Sequence, residues 1–337
     1  MIFLIILLLA IYVFIAIFIY QELIHSKINT FLKFFFVIFL IIFLMSVAYY
    51  RGKQISKNSL EGSILSPIAA PIQQGINVFH YVTKVQRLES VIKPIFENEK
   101  GDYGVGIKNL KTGDEYFYNE TKSFKTASIY KLWVMATVFK YIQDGKLTPN
   151  QVLSQNISSL NRAFGIASES AELTDGGITR TVMNAVEDMI EFSSNYAAYL
   201  LTYNIKVEPI NNMIHSLGMN DSNMADDPYS TVADTVLFYE KLYKGEIVNP
   251  EASRQMLEIL KKQQLNDRIP KYLPDGTIVA HKTGELYGFK HNAGIVYSTH
   301  GDYIIVLFSN TQLPAHAAEV EAQISKKAWE YFNNYLS

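Results

Sequence analysis

Two apolar runs at the start of the chain restrict its possible folds more than any other feature. Residues 1–20 carry no charge, and the first fifty residues hold only three charged side chains, Glu22, Lys27 and Lys33. Residues 1–20 and 31–50 are almost wholly Ile, Leu, Phe, Val, Ala and Tyr. Twenty such residues, at about 1.5 Å each, span the roughly 30 Å hydrocarbon core of a bilayer. Lys33 lies near the end of the second run, where its stem can snorkel to the interface. The polar link around Gln21–Lys27 then makes a helical hairpin, so two transmembrane helices are expected over residues 1–50, with membrane lipid as their partner. A cleaved signal peptide is the competing reading. It calls for a basic leading segment and a small-residue cleavage site, and neither is present.

Two spans place both ends on the same side of the membrane. Arg51, Lys53 and Lys57 follow the second span, whereas the link offers Lys27 and the nearby Lys33. By charge bias alone, the remainder of the chain stays in the cytoplasm.

After residue 50 the composition becomes that of a water-soluble protein. Residues 51–85 read as a juxtamembrane linker leading into a helix, with Pro67 and Pro71 in the linker and helical apolar spacing over 78–97. The 337 residues include no cysteine, which excludes a disulfide scaffold, a zinc–thiolate site and a cysteine nucleophile. A net charge of −2 argues against a nucleic-acid partner. The seven histidines are scattered with no H-x-x-x-H pair, so no metal site is expected, and nothing calls for a cofactor.

Residues 103–107 and 115–118 flank the turn signal Lys111-Thr112-Gly113-Asp114 and predict a β-hairpin. A helix is expected over 128–144, closed by Gly145. The middle of the chain, 148–265, reads as mostly helical. Strands are expected at 277–281, 293–298 and 303–308, and a last amphipathic helix at 315–335. This order predicts an α/β (α+β) domain, with one sheet interrupted by a helical subdomain.

Three short motifs carry chemistry. Ser128-Ile129-Tyr130-Lys131 puts a hydroxyl and an amine on one helical face at a helix start, where backbone N–H groups can hold an oxyanion. Burial of that lysine would let it take the serine proton. Ser193-Ser194-Asn195 offers a hydroxyl and a carboxamide just before a helical run. Lys282-Thr283-Gly284 follows His281 at the expected end of a strand and offers a positive charge, a hydroxyl and room for a substrate backbone. Taken singly, each has an ordinary explanation: a helix-start serine with an exposed lysine, an N-cap turn, and a polar strand end.

In the order S-x-x-K, S-x-N, K-T-G, the three resemble the motifs of class A β-lactamases and penicillin-binding proteins. The likeness extends over residues 86–337 and is carried by 89–147, 189–201 and 269–310. It implies a β-lactamase/DD-peptidase-like fold, with an antiparallel sheet flanked by helices plus an all-helical subdomain. By matching position it implies Ser128 as acylated nucleophile and Lys131 as its base. Ser193 would pass a proton to the leaving nitrogen. Asn195, Lys282, Thr283 and Gly284 would bind substrate, and the backbone N–H groups of Ser128 and Glu285 would form the oxyanion hole. The substrate would be a β-lactam or a peptidoglycan stem peptide. Such substrates lie outside the cytoplasmic membrane, so the resemblance implies an extracytoplasmic catalytic domain at the cell membrane, against the charge count. A non-hydrolysing β-lactam sensor and a serine-dependent glutaminase or esterase are the alternatives.

The chain departs from that family at three places. The E-x-x-L-N setting of the deacylating glutamate is missing, and Asp226 and Asp227 are the nearest carboxylates in the corresponding stretch. Glu285 follows K-T-G, where it disfavours an anionic substrate unless it turns away or pairs with Lys290. The strand His291-Asn292-Ala293-Gly294 lacks an arginine for a substrate carboxylate, which leaves Lys290 or His291 to substitute.

Overall fold

The computed structural model describes residues 88–334. Both apolar runs and the whole of the 51–85 linker-and-helix region that follows them lie outside that range, as do 335–337. Among the described residues no helix is long and apolar enough to cross a membrane.

Five antiparallel strands form the main sheet in the order β2-β1-β9-β8-β7. They are β1 (Asp102–Asn109), β2 (Glu115–Tyr118), β7 (Val279–Leu286), β8 (Phe289–Val296) and β9 (Tyr303–Asn310). The β1–β2 hairpin turns through the predicted Lys111–Asp114 segment. Asn109 accepts there from the N–H groups of Lys111 and Thr112, both at 2.9 Å, so the turn satisfies its own donors. Two short pairs complete the β structure: β3 (Phe124–Lys125) with β6 (Tyr229–Ser230), and β4 (Val152–Asn156) with β5 (Gly177–Thr181).

Helices cover both faces of the sheet. One face carries Val105, Ile107, Ile305 and Leu307, packed against Ala317, Val320, Ile324 and Phe332 of α8 (Pro314–Asn334) and against Leu88 and Ile92. The other carries Ala293, Ile295, Ile304 and Val306 against Val232, Val236 and Tyr239 of α6 (Val232–Tyr243). That second core continues into the helical block of α1 (Lys131–Gln143), α2 (Ile157–Ala163), α3 (Val182–Glu191), α4 (Asn195–Ile205), α5 (Val207–Ser216) and α7 (Pro250–Leu260). Helix α1 lies at its centre, with Leu132, Trp133, Val134, Met135, Ala136 and Val138 all buried. Apolar residues all round a helix mark one enclosed on every side. The expected helical subdomain is therefore present, with α1 as its axis.

Two of the boundaries that differ from expectation lie at the site. Residues 127–130 form a 3₁₀ turn, and the α-helix starts only at Lys131. K-T-G lies inside β7, which runs on to Leu286 and returns as β8 through Tyr287–Gly288. The polar run Lys282-Thr283-Gly284-Glu285 hides the strand from an apolar-pattern reading. Cross-strand pairing fixes it instead: Thr283 faces Asn292, Gly284 faces His291 and Glu285 faces Lys290. Gly288 takes φ +80°, the left-handed conformation that a two-residue turn asks for.

Candidate active site

The 3₁₀ turn bearing Ser128 sits between edge strand β7 and the helical block. Ala127, just before the serine, is held at φ 46°. A non-glycine residue there costs about 1–3 kcal/mol, which the surrounding packing must offset. In a 3₁₀ turn, side chains three apart lie nearly above one another, so Ser128 and Lys131 project to the same side. Gly284 gives the turn room to approach the sheet. A Cβ at that position would lie 2.9 Å from Thr126 O and 3.1 Å from Ile129 Cγ1.

Lys131 is fully buried. Its Nζ donates to Ser193 O at 2.6 Å and Asn195 Oδ1 at 2.8 Å, and lies 3.3 Å from Ser193 Oγ. Burial lowers its pKa from 10.5 to about 7, opposed by the negative charge of Glu172. All three contacts are to oxygens and fill the donors of the ammonium form; the neutral amine keeps two N–H donors and gives up one contact, the 3.3 Å one to Ser193 Oγ being the longest. Among the described residues, no hydrogen bond joins Lys131 Nζ to the Ser128 hydroxyl.

Ser193, at φ 58°, precedes α4, whose N-cap Ser194 accepts from Ala197 N at 3.2 Å. This turn aims the Ser193 hydroxyl between two lysines. Lys282 Nζ donates to Ser193 Oγ at 2.9 Å and to Thr283 O at 2.9 Å. Burial, with the charges of Lys131 and Arg268, holds the Lys282 pKa well below its usual value. Lys282, Ser193, Lys131 and Asn195 thus form one hydrogen-bonded chain from strand to helix. A chain of this kind, holding within it a lysine with a pKa of about 7, can accept and return a proton.

The structure brings together Lys131, Ser193, Asn195 and Lys282, and sets Gly284 against Thr126 and Ile129 on either side of Ser128. Thr283 is buried in β7 between Lys282 and Gly284. Glu285 pairs with Lys290, one of the two conditions under which it does not disfavour an anionic substrate. Its Oε2 lies 2.5 Å from Lys290 Nζ and 2.8 Å from Arg268 Nη2. His291 offers no cation there. It is buried, its pKa is lowered to about 4 by burial, and its Nε2 contacts Lys125 O at 2.8 Å.

Asp227 pairs with Lys125 at 3.1 Å beside a cavity of about 320 Å³ lined also by Phe124, Tyr229 and Phe289. Asp226 is exposed. Neither aspartate enters the lysine–serine chain. A carboxylate does reach it from elsewhere: Asn195 Nδ2 donates to Glu172 Oε1 at 2.5 Å. Sequence reasoning missed Glu172, which lies in the irregular segment between α2 and β5, and Arg268, a lone arginine between α7 and β7. Neither has a motif around it. Arg268 stands out only as a fully buried arginine once the fold is known.

An antiparallel sheet with a helical block, and a serine on the turn between them next to a buried lysine, describe a serine hydrolase of the penicillin-recognising type. The model of the beta-lactamase enzyme family matches residues 87–332, and the chain belongs to that family, the class A β-lactamase-like serine hydrolases. It is 22% identical over 277 residues to β-lactamase CARB-3 of Pseudomonas aeruginosa, covering 77% of this chain and 94% of that protein. Among solved structures it is similar to a β-lactamase from Sphaerobacter thermophilus (TM-score 0.65, 24% identity, covering 73% of this chain and 96% of that one). It is also similar to PBP-A (TM-score 0.64, 20% identity, 74% and 96%).

Proposed function

We propose that this chain is a membrane-anchored serine hydrolase that forms an acyl-enzyme on Ser128 with amide bonds of the D-alanyl-D-alanine or β-lactam type. The catalytic domain would lie outside the cytoplasmic membrane, where those substrates are. One observation carries the reading: a buried lysine three residues from the serine, brought to about neutrality and joined through Ser193 to a second buried lysine.

In the proposed step, neutral Lys131 takes the Ser128 proton and Ser128 Oγ bonds to the substrate carbonyl carbon. The N–H groups of Ser128 and Glu285 hold the resulting oxyanion. The C–N bond then breaks as Ser193 gives its proton to the leaving nitrogen and is reprotonated along the lysine chain. Water attacks the ester, adding OH to the acyl group and returning the proton to Ser128. Asn195 would hold the substrate amide, and Lys282, Thr283 and Gly284 would bind the rest of the substrate.

The acylating half is better provided than the deacylating half, because Asp226 and Asp227 stand outside the network. This favours a peptidase over a fast β-lactamase. PBP-A supports the comparison, since a variant of it has been captured as an acyl-enzyme complex with penicillin G. The test is intact-mass spectrometry of the full chain in detergent, with penicillin and with a D-Ala-D-Ala peptide series. The expected result is a long-lived penicilloyl adduct on Ser128 and turnover within the peptide series. Ser128→Ala should form no adduct; labelling that survives this substitution would overturn the assignment.

A further inference from the structure

Asn195 is held from two sides. Its Oδ1 accepts from Lys131 Nζ at 2.8 Å, and one N–H of its Nδ2 donates to Glu172 Oε1 at 2.5 Å. A carboxamide nitrogen carries two N–H donors, so the second is left for the substrate amide that Asn195 would hold. Two acceptors on one such nitrogen lie within about 5 Å of each other. A substrate carbonyl on Asn195 therefore has the Glu172 carboxylate as its immediate neighbour.

Glu172 is exposed, yet its backbone is pinned. Asn161 Nδ2 donates to Leu173 O at 2.8 Å, and Leu173 N donates to Tyr196 Oη at 3.1 Å. Tyr196 Oη also lies 2.9 Å from Asn161 Oδ1, and both of these residues are buried. Tyr196 follows Asn195 on α4. The helix that presents the carboxamide thus also fixes the segment that presents the carboxylate.

Among the described residues, Glu172 forms no ion pair. The segment 163–179 carries Glu169, Glu172 and Asp175 but no lysine, arginine or histidine. The Lys131 amine feels the Glu172 charge, but it is turned to Ser193 and Asn195. The same charge reaches the half-buried rings of Tyr130 and Tyr199, whose pKa values are raised by burial first. A carboxylate with no counter-ion, close to aromatic rings, favours an ammonium group over a neutral one.

We propose that Glu172 is a specificity-determining residue on the acyl side of the cleft, selecting acyl donors that carry a protonated amine next to the amide held by Asn195. The substrate class is an amino-bearing peptide or an amino-substituted β-lactam. This rests on the acyl-enzyme reading given above and narrows its substrate. Whatever lies on the leaving-group side of the bond is unaffected.

The test uses the full chain in detergent with penicillin G and ampicillin, which differ by one amino group on the carbon next to the side-chain carbonyl. The quantity measured is the ratio of their second-order acylation rates, ampicillin over penicillin G, at low salt. It should be at least three-fold higher for the wild type than for Glu172→Gln, which keeps an acceptor for Asn195 and removes only the charge. Glu172→Ala should lower the ratio as far. Any effect of Glu172 on Lys131 acts on both penicillins and cancels. With N-acetylated ampicillin, which has no cation, the ratio to penicillin G should be the same in all three proteins. An ampicillin ratio that is equal in wild type and Glu172→Gln, or one that falls equally for the acetylated compound, would overturn the role of Glu172 and leave the hydrolase reading standing. Failure of the wild type to be acylated by any of the three would sink the hydrolase reading, and this inference with it.

Discussion

Burial of Lys131 has a direct kinetic consequence. Its pKa falls to about 7 because no water solvates the ammonium, so the free amine accumulates as pH rises through neutrality. Acylation of Ser128, followed as the rate of adduct formation, should rise between pH 6 and 8 with a midpoint near 7. Lys131→Arg, which keeps a cation but cannot give up its proton in this range, should slow acylation by about 10²-fold or more and flatten that rise. A wild-type rate independent of pH across that interval would contradict the role given to Lys131. The sequence made Ser128, Lys131, Ser193, Asn195 and Lys282 legible because short motifs name them. It could not show that Glu285 holds Lys290 and Arg268 together, since one of those partners lies seventeen positions away and only the fold aligns them.

At the scale of elements, the site depends on how close strand β7 comes to the 3₁₀ turn. Gly284→Ala would force atoms 2.9 Å and 3.1 Å from the new Cβ to give way, and one of them is the backbone oxygen of Thr126. Overpacking of this kind costs about 1–3 kcal/mol. Acylation should fall at least ten-fold as the turn shifts from the strand, with the circular-dichroism spectrum retained. Unaltered acylation would mean that the strand-to-turn distance does not matter.

The same element shows where pattern reading fails. The β1–β2 hairpin and α8 announce themselves by alternation and helical periodicity, and the structure has both. Strand β7 is carried past His281 by cross-strand partners instead, so a reading by apolar pattern ends the strand at His281. The nucleophile turn looked like the first turn of a helix because 3₁₀ and α spacing are alike over four residues.

For the molecule as a whole, the buried titratable groups set opposing pH dependences. Burial lowers His281 and His291 from 6.5 to about 4. Between those values the unfolded chain binds the extra protons, so their contribution to stability falls as pH drops from 6.5 toward 4. Glu321 behaves oppositely. Burial raises its pKa from 4.5 to about 8, so the folded state holds the extra proton and stability is lost as pH climbs through that window. Glu321→Gln should therefore gain on wild type as pH rises from 5 to 8, by roughly 1.4 kcal/mol per unit at most, read from urea midpoints. A stability difference that stays constant over that range would show that Glu321 titrates normally.

The order of the strands sets a timetable for assembly. Strand β1 lies between β2 and β9, so Asp102 faces Asn310 about two hundred positions away. Strand β7 reaches the rest of the sheet only through β8 and β9. A polypeptide made from its N-terminus keeps the free edge of β1 waiting through the synthesis of the whole helical block. Until β9 has been made, that edge is open to any passing strand. A chain still short of its last segment has its nucleophile, both lysines and Ser193, yet no sheet to hold β7 against the Ser128 turn. The site is thus held together through the last strand made, β9, which joins β1 to β8.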